Sequence, residues 1–489
     1  MALRLFNTLS AQVEEFQPQE DHFVRMYSCG PTVYDYGHIG NFRTFVFVDI
    51  LRRFLEQSGY KLKHVMNITD VDDKIIRNAA KQGVTVGEYT KKYEQAFRED
   101  MQTLNLETPE LIVRATENIP DMAAFIAALV KKNFAYRTDD GSYYFRIAKF
   151  PGYGKLSKKD FAGMEVGARV DVDEYEKDNA RDFALWKAPK PGEASWDTEI
   201  GPGRPGWHIE CSVMARKFLG DTLDMHLGGE DLIFPHHENE IAQSEALTGK
   251  PFVRFWVHAR FLLVEGEKMS KSLGNFYTLR DLVLQGHKPS SIRYLLTSVP
   301  FRKQLNFTFD GLKQAASSVE RLRNFKLRLE TAHFDPGSNP KLAALARATS
   351  ERFTAALSDD LNTAEALAAV FDMVREVNVA ADAGEVKQDE IPATLAVLEQ
   401  FDQIFDVLRD TDAAKIARIL EWAKNEGKGD AVAEAAPTIS TREIDELIAK
   451  REAARRGRDF KTSDAIRVQL AGAGIILEDT KDGVRWKRK

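Results

Sequence analysis

Phe23, Val24 and Met26 form a short apolar run. After the loop-like stretch Tyr27 to Arg43, apolar residues recur at helical spacing: Phe45, Val48, Leu51 and Leu55, with Phe47, Ile50 and Phe54 beside them, up to a stop at Gly59. Leu62, Val65, Met66 and Ile68 then read as a buried strand that ends in Asn67-Ile-Thr-Asp-Val-Asp-Asp-Lys74. Strand, helix and strand in this length predict one parallel βαβ unit, whose ligands belong beyond the carboxyl ends of the strands. Thr69 and Asp70 fall at such an end.

Further on, the spacing predicts a helix from Thr85 to Leu104 and another from Asp121 to Asn133, bounded by Pro120. From Tyr136 to about Gly203 the text changes to short alternating strands, with Tyr143, Phe145 and Ile147 in alternation, which predicts an inserted subdomain. Beyond Asp310, Ala, Leu, Arg and Glu dominate, and apolar positions keep helical spacing through Leu408 apart from a loop at Asp335 to Pro340. A helical bundle is expected there. Asn425 to Pro437 is rich in Ala, Gly and charge and reads as a linker. The expected division is 1–135 and 204–250 for the two halves of an α/β domain, 136–203 for the insert, 251–309 for a connecting region, 310–424 for the bundle, 425–437 for the linker and 438–489 for a closing mixed module.

The chain has 489 residues, enough for roughly three or four domains. No run approaches a membrane span and no apolar leader follows Arg4, so a cytoplasmic protein with no membrane partner is expected. Only two cysteines are present, each inside a motif, which favours reduced thiols serving a metal over a disulfide. The net charge of −6 hides an asymmetry. Residues Ser440 to Lys489 hold 13 Lys or Arg against 9 Asp or Glu, so the closing module is basic, as phosphate contacts require.

Two groups of residues carry candidate chemistry. Cys29, Cys211, His236 and Glu240 could hold a metal, since His236 and Glu240, four apart on a helix starting near Pro235, share a face. Thiolates with imidazole and carboxylate suit zinc. Spacing leaves His226, His237 and Glu238 open as competing ligands. The second group is His38-Ile-Gly40-Asn41 with Lys268-Met-Ser-Lys271-Ser272. A His at a helix start and a Lys pair on a loop flanked by Gly266 and Gly274 can compensate phosphate charge while the loop closes and opens. Gly30, Gly37 and Gly40 let the backbone approach a ligand closely.

These blocks resemble the cysteinyl-tRNA synthetase family of class I aminoacyl-tRNA synthetases. The resemblance spans nearly the whole chain and rests on Cys29-Gly-Pro-Thr-Val-Tyr34, His38-Ile-Gly40, Asn67-Ile-Thr-Asp70, Gly206-Trp-His-Ile-Glu-Cys-Ser212, His226-Leu-Gly-Gly-Glu-Asp231, Phe234-Pro-His-His-Glu-Asn-Glu240 and Lys268 to Ser272. It implies a Rossmann-like catalytic domain with an insert, a stem-contact region, a helical anticodon-binding bundle bearing Asp359-Asp-Leu-Asn-Thr363, and a small mixed anticodon-binding module. It implies one zinc per chain on Cys29, Cys211, His236 and Glu240; contacts to ATP, carried with Mg2+, from His38, Gly40 and Lys271, with Asn41 and Lys268 in the catalytic set; and an amino-acid pocket of Thr69, Trp207 and Asp231. Arg485, Trp486 and Lys487 could meet an anticodon base. The implied partners are L-cysteine, ATP and tRNA(Cys), and a monomer is expected.

Zinc would separate cysteine from serine directly, because a thiolate binds it strongly and a protonated hydroxyl does not. A site closed by four protein ligands must then expand or loosen one of them when cysteine arrives. Two departures from the family pattern stand out: Asn41 replaces the second signature His, and Trp196-Asp-Thr-Glu-Ile-Gly201 replaces a Trp-Ser-Pro-Trp-Gly run. Two other functions fit parts of the sequence, a cysteine ligase acting on an aminosugar and a zinc-stabilised RNA-binding protein without catalysis. The long basic C-terminal region argues against the first, and intact His38 and Lys268 to Ser272 against the second.

Overall fold

A computed structural model describes residues 2–159, 182–190, 192–428, 441–480 and 483–488. At its centre lies a five-stranded parallel sheet of β1 (Phe23–Ser28), β2 (Lys61–Ile68), β3 (Leu111–Arg114), β4 (Leu223–Gly229) and β5 (Val253–Ala259). The order is β5-β4-β1-β2-β3. Helix α1 (Ile39–Gln57) makes the crossover from β1 to β2 and ends where Gly59 takes a left-handed φ of 89°. Strand order reverses between β1 and β4, so a crevice opens beyond their carboxyl ends, the place where such sheets bind ligands. Cys29 follows β1 at this point, and its N–H donates to Leu227 O of β4 at 3.2 Å.

Close approach fixes one glycine here. A Cβ on Gly30 would lie 1.7 Å from Asn67 O, so only glycine lets β1 exit beside the end of β2.

Before the crevice is completed, four short antiparallel strands pair in order, Ala135–Arg137, Tyr143–Phe145, Phe183–Lys187 and Arg204–Pro205. The expected alternation through Ile147 stops at Phe145. Ile147 instead opens a 3-10 turn whose N–H is taken by Asp182 Oδ1 at 3.0 Å. The helix expected from Asp121 starts earlier, at Ile119, because Pro120 sits in the first turn, where its missing N–H costs nothing.

Helices α2 (Trp207–Leu219) and α3 (Glu238–Thr248) then frame the crevice, and α4 (Leu279–Leu284) and α5 (Pro289–Thr297) follow the Lys268–Ser272 loop. Four longer helices, Phe309–Thr331, Pro340–Ser358, Thr363–Asp382 and Ile391–Phe405, make the bundle, and α6 (Asp412–Asn425) returns toward the sheet domain. Buried Arg293 of α5 binds Asp49 of α1 at 2.6 Å and the carbonyls of Leu104 (2.9 Å) and Ile404 (3.2 Å). It thereby ties α1 to the bundle. The Asp359–Thr363 turn is also a tie, since Asp360 Oδ1 accepts the Phe6 N–H at 2.8 Å.

Of the expected linker 425–437, Asn425 to Lys428 finish α6 and the rest lies outside the described residues. The closing module has two helices, Thr441–Arg456 and Phe460–Gly472, and a hairpin of Ile475–Thr480 with Gly483–Arg488. Among the described residues no helix is long and apolar enough to cross a membrane.

Candidate active site

Strand β1 delivers Cys29, α2 delivers Cys211, and the turn at Ile233–His237 running into α3 delivers His236 and Glu240. One ligand atom from each lies within 4.8 Å of the other three, and all four residues are buried. The two sulfurs are 3.9 Å apart, and His236 Nε2 lies 3.1 Å from Glu240 Oε1. A second set shares Cys29 and Glu240 but takes His226 and His237 instead. His237 is not spare, since its Nε2 lies 3.3 Å from Cys29 Sγ while Nδ1 pairs with His258 Nε2 at 2.8 Å. Glu238, the other competing residue, faces away. Its carboxylate accepts from the N–H groups of Gly154, Leu156 and Ser157.

Electrostatics favour a cation at the first set. Burial would push His236 down, but the Cys211 and Glu240 charges outweigh it and hold the imidazolium up to about 10. Burial would likewise raise Cys211, yet hydrogen bonding with Cys29 and the His236 charge lower it to about 6. Burial also works against Glu240, and His226 and His236 lower it to about 2. Cys211 and Glu240 are thus the anionic donors with a buried imidazolium as counter-charge, while burial and the neighbouring Cys211 push the Cys29 thiol well up. A sulfur, imidazole and carboxylate set of this kind fits zinc.

His38 is the N-cap of α1. Its Nδ1 accepts the Asn41 N–H at 3.1 Å, and Asn41 Oδ1 accepts the His38 N–H at 3.1 Å. This reciprocal cap leaves Nε2 as the protonated nitrogen of a neutral ring. Burial, then Lys271, lower His38 to about 4, so the ring stays neutral near pH 7. A Cβ on Gly40 would come within 3.0 Å of the His38 ring and 3.1 Å of Met269 Cε, so this glycine lets the Lys268–Ser272 loop lie over α1. The loop's return strip is pinned to the same turn, for Ile39 N–H donates to Tyr277 O at 3.0 Å.

The two loop lysines differ. Lys268 is exposed in a two-residue strand paired with Leu263, whereas Lys271 lies on the turn beyond and its Nζ is 2.8 Å from Asp35 Oδ2. Gly266 and Gly274 hold positive φ at either end.

Of the residues expected to line an amino-acid pocket, Trp207 is 41% exposed and stacks on the His236 ring at 4.3 Å between centroids, so it is not core filler. Asp231 is exposed just past β4, close enough to Gly229 that a Cβ there would lie 2.4 Å from its Oδ1. Thr69 is buried and its hydroxyl donates to Glu210 Oε2 at 2.7 Å. Glu210, His208 and His258 were not expected. His208 and Glu210 sit inside the Gly206 to Ser212 motif, and His258 is a polar residue in the largely apolar run of β5, and these were the available signals. At the far end of the chain, Trp486 packs on the module's small core and donates its indole N–H to Asp445 at 3.1 Å. The side chains of Arg485 and Lys487 lie outside the described residues.

Residues 15–317 match the family described as tRNA synthetases class I (C) catalytic domain, 352–409 the DALR domain, and 440–486 the cysteinyl-tRNA ligase anticodon binding domain. A cysteine--tRNA ligase from Koribacter versatilis (strain Ellin345) is 68% identical over 495 residues, covering 100% of both chains. One from Solibacter usitatus (strain Ellin6076) is 61% identical over 489 residues with the same coverage, and one from Leptospira interrogans serogroup Icterohaemorrhagiae serovar Lai (strain 56601) is 45% identical, covering 100% of this chain and 99% of that one. The fold is also similar to Mycobacterium tuberculosis methionyl-tRNA synthetase in complex with methionyl-adenylate. That likeness has a TM-score of 0.57 at 14% identity and covers 84% of this chain and 93% of that one. These matches set aside the aminosugar ligase and the binding-only protein. The chain belongs to the cysteinyl-tRNA synthetases of class I, and it activates cysteine and charges tRNA(Cys).

Proposed function

We propose that Cys29, Cys211, His236 and Glu240 hold one zinc ion that selects the substrate thiol, while His38 and Lys271 serve the phosphates of ATP and its Mg2+. The gathering of four buried donor atoms within 4.8 Å carries the first half. A zinc ion held there supplies affinity for a thiolate over the hydroxyl of serine, so discrimination needs no separate editing site.

The remaining residues orient the substrates. Thr69 Oγ1 donates to Glu210 and accepts from Asn67 Nδ2 at 3.2 Å, so its free lone pair can take an N–H of the amino acid's ammonium. Asp231 supplies negative charge to the same group, and Trp207 walls the pocket beside His236. His38 offers its Nε2–H to a phosphate oxygen, and Lys271 exchanges Asp35 for phosphate as the loop closes, with Lys268 anchoring the loop. Asn41 holds the cap that orients His38. Adenylation here is positioning and charge compensation, after which the acyl group moves to the terminal ribose of the tRNA. Two free thiols suit a reducing cytoplasm.

Stripping metal with a chelator tests the zinc role. Cysteine-dependent pyrophosphate exchange should fall to background and return with added zinc. Full exchange in zinc-free protein would refute it.

A further inference from the structure

Two residues before His38, the Tyr36 ring is gripped by groups from three distant parts of the chain. Arg280 of α4, 1% exposed, sets its guanidinium 5.2 Å from the Tyr36 ring and 4.5 Å from that of Trp422. The Tyr36 and Trp422 rings meet edge to face at 5.1 Å, and Tyr93 closes the other side at 5.2 Å. Asp100 holds Arg280 in place through Nε at 2.7 Å. Lys428, just past α6, lies 5.1 Å over Trp422 and 5.4 Å over Tyr36.

The location gives this cluster its meaning. Tyr36 belongs to the turn that presents His38, and Arg280 opens the helix that follows the Lys268–Ser272 loop. Both walls of the nucleotide site are therefore held by one buried cation. Trp422 belongs to neither wall, since it lies near the end of α6, the last described helix before the module that begins near residue 440. We propose that Trp422 is a positioning residue for ATP: it completes the cage around Arg280 and Tyr36, and so makes the last helix before the anticodon-binding module part of the frame of the nucleotide site.

The physical case rests on what truncation would release. Without the indole, Arg280 loses the nearer of its two aromatic faces and Tyr36 loses an edge contact, so the turn bearing His38 gains freedom. The Cys29 side of the crevice has no part in this cage, so cysteine binding should be spared. The proposal rests on His38 serving ATP.

Cysteine-dependent pyrophosphate exchange of the full-length enzyme tests it with Trp422→Ala, Trp422→Phe and His38→Ala in parallel. The expected result for Trp422→Ala is a rise of about tenfold in the KM for ATP, with the KM for cysteine and the zinc content unchanged. Trp422→Phe, which keeps an aromatic face, should recover most of the loss. An unchanged KM for ATP in Trp422→Ala, or an equal rise for cysteine, would overturn the positioning role. Failure of Trp422→Phe to recover any of the loss would also overturn it, because a cage needs a face more than an indole. If His38→Ala leaves the ATP parameters unchanged, the nucleotide assignment of that turn falls and takes this role with it.

Discussion

The Thr69 hydroxyl donates to Glu210 Oε2 at 2.7 Å and so joins the end of β2 to the helix that carries Cys211. Burial pushes the Glu210 carboxyl well up against the lowering effect of the Thr69 hydrogen bond, and among the described residues its Oε1 finds no partner. Thr69→Val keeps the shape and removes the donor. It should cost about 1–3 kcal/mol and raise the KM for cysteine, whereas Thr69→Ser should cost less than about 1 kcal/mol. Urea unfolding together with exchange kinetics reads both effects.

His38 should remain neutral, protonated on Nε2, throughout the working pH range. Its ordinary value of 6.5 is lowered to about 4 by burial and then by Lys271. Between those values the unfolded chain takes up the proton first, so the stability His38 contributes is whole above about 6.5 and is lost as pH falls toward 4. Lys271→Ala removes one of the lowering charges, so its His38 should titrate at higher pH than in the parent. Imidazole 15N NMR distinguishes the tautomers and follows the titration, and a charged ring at pH 7 would contradict this.

Asn41 separates a capping role from a phosphate role. Asn41→Ala removes the acceptor for the His38 N–H and should lower stability by about 1 kcal/mol. The His38 Nδ1 bond survives, because its donor is the backbone of residue 41. Exchange activity should therefore fall less than about tenfold, and far less than in His38→Ala. A loss equal to that of His38→Ala would mean that the amide itself binds ATP.

Arg293 should be the most sensitive structural residue outside the crevice. It is 1% exposed and joins Asp49 to carbonyls of two other elements. Arg293→Ala leaves Asp49 without this buried partner and should cost about 3–5 kcal/mol, and Arg293→Lys should recover little because one ammonium cannot span the same acceptors. Thermal melting measures both.

The βαβ unit was legible because Phe45, Val48, Leu51 and Leu55 keep one period and Gly59 stops it. Residue type and spacing name Cys29, Cys211, His236 and Glu240 as possible ligands, but only the family resemblance prefers them to their competitors, since periodicity cannot choose between adjacent His236 and His237 at a turn that leaves the regular helix. Asn41 read as a lost signature histidine, and its cap became visible only once φ and ψ of His38 were known. Glu210, Arg280 and Trp422 were hidden for a different reason. Their partners, Thr69, Tyr36 and Asp100, lie in other segments, and no local pattern encodes a contact that chain topology creates.

Cys211→Ser tests the metal assignment most directly, because Cys211 belongs to the set with His236 and is absent from the overlapping set of Cys29, His226, His237 and Glu240. Zinc content and cysteine-dependent pyrophosphate exchange would be measured on the purified variant. Loss of bound zinc, with exchange reduced by at least about a hundredfold, is the predicted result. Full zinc occupancy with parental exchange would contradict it and move the metal to His226 and His237.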